Sequence, residues 1–148
     1  MQSKLKVLYL CTGNSCRSQM AEGWTRHLRG DVIETWSAGT VPKSLDPRAV
    51  EVMREVGVDI SGHRSKPVED LLDVGLEYVV TVCDGARESC PVFPGRARVV
   101  HQGFADPPEL AQEAASEEEA LQHYRQVRDQ IRWFVESLPE GLTGRPGT

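Results

Sequence analysis

An apolar run that passes directly into a short polar loop is the feature that most constrains how this chain can fold. The run ends at Leu10, and the loop that follows it, residues 11–18, reads CTGNSCRS. Apolar residues then recur at the spacing of one helix face. The segment therefore predicts a strand over residues 4–10, a tight turn, and a helix over residues 18–29 with Ser18 as its N-cap.

The loop has the composition of an anion-binding site. Gly13 and Asn14 tolerate the left-handed backbone angles of a tight turn, whose N–H groups attract anions together with the positive end of the helix. The planar guanidinium of Arg17 suits a tetrahedral oxyanion, and the same positive field favours a thiolate at Cys11. A buried cysteine that only fills space is the simpler alternative. The candidate oxyanion-binding residues are those that follow the cysteine: Thr12, Gly13, Asn14, Ser15, Cys16, Arg17 and Ser18.

Predicted strands and helices alternate along the rest of the chain. Further strands are predicted over residues 32–36, 78–82 and 97–101. Further helices are predicted over residues 46–56 (N-cap Asp46, then Pro47, stop at Gly57), 68–74 and 116–138 (capping box Ser116 and Glu119). This alternation predicts a doubly wound α/β fold: a four-stranded parallel sheet with helices on both faces. The active site then belongs at the carboxyl ends of the strands.

Length and composition indicate an ordinary globular protein. The 148 residues, 39% hydrophobic and 26% charged, suit a single catalytic domain over residues 1–140, followed by a tail, residues 141–148, that we predict to be disordered. The net charge of −5 argues against nucleic-acid binding. The chain has neither a secretory segment nor an apolar run of membrane-spanning length, so we expect a cytoplasmic protein without membrane contact, and a monomer.

Four cysteines in a cytoplasmic chain favour catalysis, redox chemistry or metal binding over structural disulfides. The spacings Cys11-x4-Cys16 and Cys83-x6-Cys90 lack the close ligand pairs of zinc sites, so we predict no metal site. The histidines have no metal-ligand spacing and are interpreted as surface or packing residues: His27, His63, His101 and His123.

Two further features carry chemistry. Asp106 precedes Pro107 in a loop on the catalytic edge of the predicted sheet, where a general acid for a leaving group is needed, although an Asp-Pro pair is also a common turn. Cys83 and Cys90 flank a short polar segment that contains glycine. Such a pair can close a small disulfide if the segment is mobile.

The motif Cys-x5-Arg-Ser at 11–18, directly after a first strand, resembles the phosphate-binding loop of the low-molecular-weight tyrosine phosphatase family. In that family the cysteine is the nucleophile, the arginine holds the oxyanion and the serine hydroxyl hydrogen-bonds the cysteine sulfur. The segment 83–91 resembles the redox segment of thioredoxin-coupled arsenate reductases, which share this fold. The resemblance extends over nearly the whole chain: WSAGT at 36–40, VTVC at 80–83, GFADP at 103–107 and RQVRDQI at 125–131.

The resemblance implies a sequence of sulfur chemistry. Cys11 attacks arsenate held by Arg17 while Asp106 protonates the leaving oxygen. Cys83 then attacks Cys11, releasing arsenite and leaving a Cys11–Cys83 disulfide, and Cys90 takes over to give Cys83–Cys90. Thioredoxin reduces that bond, so no bound cofactor is implied, and phosphate and sulfate are expected as further ligands of the loop.

The sequence departs from the relatives at particular positions. Gln102 stands where many members have tryptophan, and the tyrosines that phosphotyrosine phosphatases place after Asp-Pro are absent. Some members bind potassium, and the resemblance would assign Asn14, Glu22 and Ser37 to that site. Lys66 stands where a carboxylate is expected, and its ammonium would replace the cation, so we predict no potassium.

Two alternatives remain at this point. The first is a low-molecular-weight phosphatase that hydrolyses phosphotyrosine or small phosphate esters through Cys11, Arg17 and Asp106. The second is an oxyanion-binding or redox-sensing module without turnover. Arsenate-dependent turnover with thioredoxin separates the reductase from both.

Overall fold

Strands and helices alternate along the chain, whose computed structural model describes residues 3–95 and 97–143. The strands in these ranges are β1 (Leu5–Cys11), β2 (Ile33–Gly39), β3 (Tyr78–Thr81) and β4 (Arg98–His101). The α-helices in the same ranges are α1 (Arg17–Arg29), α2 (Pro47–Glu55), α3 (Asp84–Glu88), α4 (Pro107–Leu110), α5 (Glu117–Glu136) and α6 (Glu140–Thr143). Short 3-10 helices occupy Val68–Leu71 and Ala111–Glu113.

The strands form one parallel sheet in the order β2-β1-β3-β4. Alternate residues of a strand face opposite sides of a sheet, yet residues 7–11 of β1 and all of β3 are buried. Both faces of the sheet are therefore covered, and the predicted doubly wound four-stranded parallel fold is confirmed. The strand order changes direction between β1 and β3, where open α/β sheets bind their ligands.

Two helix starts follow the predicted capping chemistry. The Asp46 side chain accepts the Arg48 N–H at 2.9 Å, and Pro47 is the first residue of α2. The Ser116 hydroxyl accepts the Glu119 N–H at 3.1 Å at the start of α5. α5 packs on both α1 and α2 and contributes buried apolar residues to the core.

Several predicted boundaries are wrong for local reasons. Ser18 is not the N-cap of α1: Cys16 holds that position without a side-chain bond, and the buried Ser18 hydroxyl accepts Asn14 Nδ2–H at 2.9 Å instead. β2 continues past its predicted end at Trp36, because Gly39 still pairs with the last residue of β1. The segment predicted as a helix over 68–74 forms only a single 3-10 turn.

The predicted disordered tail, residues 141–148, begins too early. Residues 141–143 belong to α6, where Leu142 is fully buried and the Gly141 N–H bonds to Ser137 O at 2.7 Å. Burial of the Leu142 side chain explains the difference, because it stabilises one more turn against the core. Residues 144–148 lie outside the described part of the chain. Among residues 3–95 and 97–143, no helix has the length and apolarity that crossing a bilayer requires.

Candidate functional site

The loop after β1 is braced along its outer side by residues 40–46, which we call the bracing segment. Four N–H groups of this segment bond to four carbonyls of the Cys11 loop: Thr40 to Cys11 (3.1 Å), Val41 to Thr12 (2.8 Å), Lys43 to Gly13 (2.8 Å) and Asp46 to Ser15 (2.9 Å). The bracing uses loop carbonyls and no loop N–H group, so it leaves the loop donors for an anion.

Close approach of the two backbones requires a glycine where β2 ends. A Cβ on Gly39 would lie 2.5 Å from the Thr12 carbonyl oxygen, far inside contact distance. Any side chain at Gly39 would therefore push the bracing segment away from the loop.

Asn14 fixes the loop from within. It is fully buried, has the positive φ of 50° that the turn requires, and donates to the Ser18 hydroxyl. Its side-chain oxygen accepts the Lys66 N–H at 3.0 Å, and its carbonyl accepts Gln19 Nε2–H at 3.0 Å and the Ser65 hydroxyl at 2.6 Å. A loop held at this many points is preorganised for a ligand of one shape.

Arg17 reaches from the first turn of α1 across the mouth of the loop. Its Nη1 donates to Phe104 O at 2.9 Å, and its Nη2 lies 3.6 Å from Asp106 Oδ1. Its Nε is buried and has no partner among the described residues. A buried guanidinium N–H without a partner is costly, and an oxyanion in the loop would satisfy it.

Asp106 is half-buried at the same mouth. Burial raises the pKa of its carboxyl, although the charge of Arg17 opposes that shift. A raised pKa keeps more of the carboxyl protonated near neutral pH than an exposed aspartate would be, which is what a general acid needs.

Cys83 lies against Cys11, because it follows β3, the neighbour of β1 in the sheet. Cys83 Sγ is also 3.3 Å from Thr12 Oγ1 and accepts the Ala86 N–H at 3.3 Å. α3 approaches the loop so closely that a Cβ on Gly85 would lie 2.7 Å from Thr12 Oγ1.

The two thiols interact, and their pKa values shift in opposite directions. The hydrogen bond from Cys11, the Thr12 hydroxyl, the Ala86 N–H and the Arg17 charge lower the pKa of Cys83 to about 4, although burial opposes them. The same hydrogen bond, burial and the charge of Cys83 raise the pKa of Cys11 despite Arg17 and the loop backbone. The sequence predicts a thiolate at Cys11, whereas in the structure the lowered pKa is that of Cys83.

The two other cysteines have separate surroundings, and all four are free thiols. Cys90 lies beyond the end of α3, half-buried, and burial raises the pKa of its thiol. Cys16 is 3% exposed within the loop, and burial followed by the charge of Asp46 raises its pKa.

A cavity of about 610 Å³ opens over the loop. Its walls combine the nucleophile loop, the bracing segment and the Asp106 loop: Cys11, Thr12, Gly13, Ser15, Cys16, Arg17, Lys43, Ser44, Leu45, Asp46, Pro47, Asp106 and Pro108. A second cavity of about 470 Å³ is lined by residues that include Arg54 and Asp59, and none of its lining residues is a cysteine.

A buried polar cluster lies behind the loop, around Glu22. The Glu22 carboxylate accepts the Ser37 hydroxyl at 2.5 Å and lies 2.9 Å from Arg26 Nη2 and 3.9 Å from His63 Nε2. Lys66 Nζ donates to Arg64 O at 3.2 Å. In residues 3–95 and 97–143 no three histidine, cysteine or carboxylate side chains are grouped to hold a metal ion.

Comparison with known proteins identifies the family. Residues 6–143 match the model of the low molecular weight phosphotyrosine protein phosphatase family. The chain belongs to this family. The arsenate reductase of Bacillus subtilis is 42% identical over 131 residues, 88% of this chain and 91% of the relative.

Solved structures of family members superpose on the chain. An arsenate reductase in its phosphate-binding state is 32% identical, has a TM-score of 0.72, and covers 90% of this chain and 95% of its own. A thioredoxin-dependent arsenate reductase of Corynebacterium glutamicum is 28% identical with a TM-score of 0.65, over 93% of this chain and 63% of its own.

Sequence reasoning on this family member missed three parts of the site. The bracing segment was missed because its role depends on backbone contacts, not on residue types. α3 was missed because residues 84–88 had been interpreted as a mobile polar stretch. His63 was interpreted as a surface or packing residue, yet its Nδ1 lies 3.0 Å from Gln19 Oε1 within the network behind the loop, and only the chain fold reveals this.

Proposed function

We propose that this protein is an arsenate reductase in which Cys11, Cys83 and Cys90 act in turn. The observation that carries the proposal is the Cys83 sulfur held against Cys11 by Thr12 and Ala86. Ester hydrolysis needs only the nucleophile, the arginine and the acid, whereas reduction needs a second sulfur within reach of the first. The arsenate reductases among the relatives support the same conclusion.

The first step is attack on arsenate. The oxyanion occupies the loop and pairs with the free Nε of Arg17. The Cys11 proton passes to an oxygen of the bound arsenate, the Cys11 sulfur forms a bond to arsenic, and one As–O bond, that of a hydroxyl group on arsenic, breaks. That oxygen leaves as water with a proton from Asp106, whose raised pKa favours the protonated form.

The second step transfers electrons. The Thr12 hydroxyl, the Ala86 N–H and the Arg17 charge still lower the pKa of Cys83 once Cys11 is bound to arsenic, so Cys83 is available as a thiolate. Its thiolate attacks the Cys11 sulfur, an S–S bond forms, and the S–As bond breaks with its electron pair remaining on arsenic. Arsenic(V) thus becomes arsenic(III) and leaves as arsenite, while the two sulfurs are oxidised to a Cys11–Cys83 disulfide.

The third step requires α3 to unwind. Cys83 is the N-cap of α3 and Cys90 lies two residues beyond its last residue, Glu88. Seven residues at the rise of a helix separate two Cα atoms by about 10 Å, whereas a disulfide needs about 4.4–6.8 Å. Cys90 can attack Cys83 and free Cys11 only after the short helix opens, which also exposes the new disulfide to an external reductant.

Thioredoxin is the proposed reductant. The Corynebacterium relative is thioredoxin-dependent, and a mobile segment that presents a disulfide suits reduction by a dithiol protein. The protein then needs no bound cofactor, and we propose that it works as a cytoplasmic monomer with a single catalytic domain.

Arsenate-dependent consumption of NADPH, with thioredoxin and its reductase present, tests this proposal. The wild type should turn over many times, whereas Cys83→Ser and Cys90→Ser should not. Ser89→Ala, in the same segment, is the matched control and should behave like the wild type. Unchanged multiple turnover by both cysteine variants would contradict the relay and favour a phosphatase.

Disulfide mapping separates the two cysteine variants. After arsenate exposure, the Cys90→Ser variant should contain Cys11–Cys83 and release one arsenite per chain. The wild type should contain Cys83–Cys90, and the Cys83→Ser variant should contain neither bond. Finding Cys83–Cys90 in the arsenate-treated wild type, without arsenite release, would indicate a redox-sensing module.

Phosphate-ester hydrolysis is the second candidate activity. The cavity over Cys11, Arg17 and Asp106 supplies a nucleophile, an oxyanion clamp and an acid. We expect slow hydrolysis of an aryl phosphate, since the first step is shared, and this activity should persist in Cys83→Ser and Cys90→Ser.

A further inference from the structure

Lys43 belongs to the bracing segment, yet its side chain turns back onto the anion loop. Its backbone N–H bonds to Gly13 O at 2.8 Å. Its Cγ and Cδ lie 3.6 and 3.5 Å from the point where a Cβ on Gly13 would stand. The apolar stem therefore lies over the loop backbone, and Lys43, whose ammonium is two bonds beyond Cδ, is one of the residues that line the cavity above Cys11.

The charges around the cavity show what this ammonium adds. Arg17 is the other cation in the cavity wall, and Asp106 lies 3.6 Å from one of its nitrogens. Asp46 contributes a second carboxylate to the same wall, and the pair of sulfurs holds a negative charge. The Asp46 carboxylate and the sulfur pair are therefore negative before any anion arrives, and one arginine opposes them, so a doubly charged oxyanion would enter an unfavourable field.

We propose that Lys43 is a second oxyanion-binding residue, which compensates this negative charge and sets the affinity for tetrahedral dianions such as arsenate and phosphate. It acts from the outer side of the loop, opposite the Arg17 clamp, and forms no bond to the reacting sulfur. Lys43 strengthens the binding of the substrate and not the chemical step, because the charge of the anion is already present when it binds. This inference rests on the proposed oxyanion chemistry of the loop and names a residue that fixes its ligand class.

Two variants separate charge from packing. Lys43→Met keeps an unbranched apolar stem over Gly13 and removes the charge, whereas Lys43→Arg keeps the charge. Lys4→Met is the matched control, because Lys4 is exposed just before β1, at the end of the sheet remote from the site. None of the three changes alters the backbone bonds of the bracing segment.

The measurement is the binding of inorganic phosphate, by calorimetry and by inhibition of aryl-phosphate hydrolysis, together with kcat and KM for arsenate. In Lys43→Met, the dissociation constant for phosphate and the KM for arsenate should both rise about fivefold, whereas kcat should change by less than about twofold. Lys43→Arg and Lys4→Met should match the wild type. Raising the salt concentration to about 0.5 M should shrink the difference, because the interaction is a screened charge effect.

Three outcomes would overturn the inference. They are an unchanged dissociation constant for phosphate in Lys43→Met, an equal rise of that constant in Lys4→Met, and a fall in kcat without a change in KM in Lys43→Met. The phosphate measurement does not depend on arsenate reduction. If the wild type reduces no arsenate but Lys43→Met still binds phosphate more weakly, the reductase proposal fails and the role of Lys43 stands.

Discussion

The Cys11 loop and the segment from Cys83 to Cys90 have opposite mechanical characters. The loop is tied to the bracing segment by four backbone bonds, and the buried Asn14 bonds to four residues. The second segment is a five-residue helix followed by irregular chain, and Val92 just beyond it is 94% exposed. A fixed loop suits chemistry on a rigid oxyanion, whereas the passage of a disulfide from one pair of cysteines to another needs a segment that can rearrange.

The two regions meet at one seam. Thr12 belongs to the loop and bonds Cys83, while Gly85 of α3 leaves just enough room for the Thr12 hydroxyl. The seam is what distinguishes this site from a simple ester-hydrolysing pocket, because it places a second sulfur beside the first. The effect of a variant on the two activities should therefore depend on whether it changes the Cys11 loop, the cysteine pair Cys83 and Cys90, or the contact between Thr12 and α3.

Cys11→Ser should produce the largest loss, because Cys11 serves both regions. A serine hydroxyl is far less ionised than a thiol, so arsenate turnover and aryl-phosphate hydrolysis should both fall by more than about 1,000-fold. Both rates are measured on the same preparation. Retention of either activity would show that another group is the nucleophile and that the two regions do not share it.

Asp106→Asn should produce the second largest loss, and it should affect the step at the Cys11 loop and not the transfer between cysteines. Aryl-phosphate hydrolysis should fall about 100-fold, since the leaving group loses its proton donor. In the wild type the raised pKa of Asp106 keeps the acid protonated to higher pH, so hydrolysis should decline as pH rises through that pKa. The variant should lack this decline. Asp73→Asn, an exposed aspartate outside the cavity, is the control and should keep the wild-type pH profile.

Gly85→Ala should affect the relay and leave the loop intact. The added methyl group would lie 2.7 Å from Thr12 Oγ1, so α3 must move away from Thr12, which bonds to Cys83. Thioredoxin-coupled turnover should fall about tenfold, since a small misplacement of a reacting group has a large cost. Aryl-phosphate hydrolysis should be unchanged. Gly62→Ala is the matched control, because a Cβ there meets nothing within 4 Å. Equal losses of turnover in the two variants would show that the contact between Gly85 and Thr12 is not the cause.

Thr12→Val should have the smallest effect, and it is read from a pH profile. The surroundings of Cys83 lower its pKa to about 4, so its thiolate, and its alkylation by iodoacetamide, should persist as pH falls until that range. Loss of the Thr12 hydrogen bond should move this midpoint upward by about one unit. Thr12→Ser should restore it. A midpoint that stays in place in the valine variant would mean that the hydroxyl does not stabilise the thiolate.

The main features of the fold followed from the sequence because they depend on local patterns. The buried runs at 7–10 and 78–82, with helical spacing between them, led to the parallel sheet, and Asp46 and Ser116 marked two helix starts. The prediction that Ser18 is the N-cap of α1 was wrong, because its hydroxyl bonds to Asn14 and not to a helix N–H. α3 was missed because a five-residue helix carries little periodicity, and it is held by contacts with β1 and β3.

The amino-acid sequence is enough to identify the reactive groups: a cysteine at a strand end, an arginine and serine after a tight turn, an aspartate before a proline, and a second cysteine pair. Which of these groups are in contact depends on the folded chain. The adjacency of β1 and β3 brings Cys83 to Cys11, and the contact raises the pKa of Cys11 and lowers that of Cys83. The bracing segment and the position of Lys43 over Gly13 are likewise long-range contacts. The physical reason is that a pKa or an anion site depends on charges and donors a few ångströms away in space, and sequence distance does not set that separation.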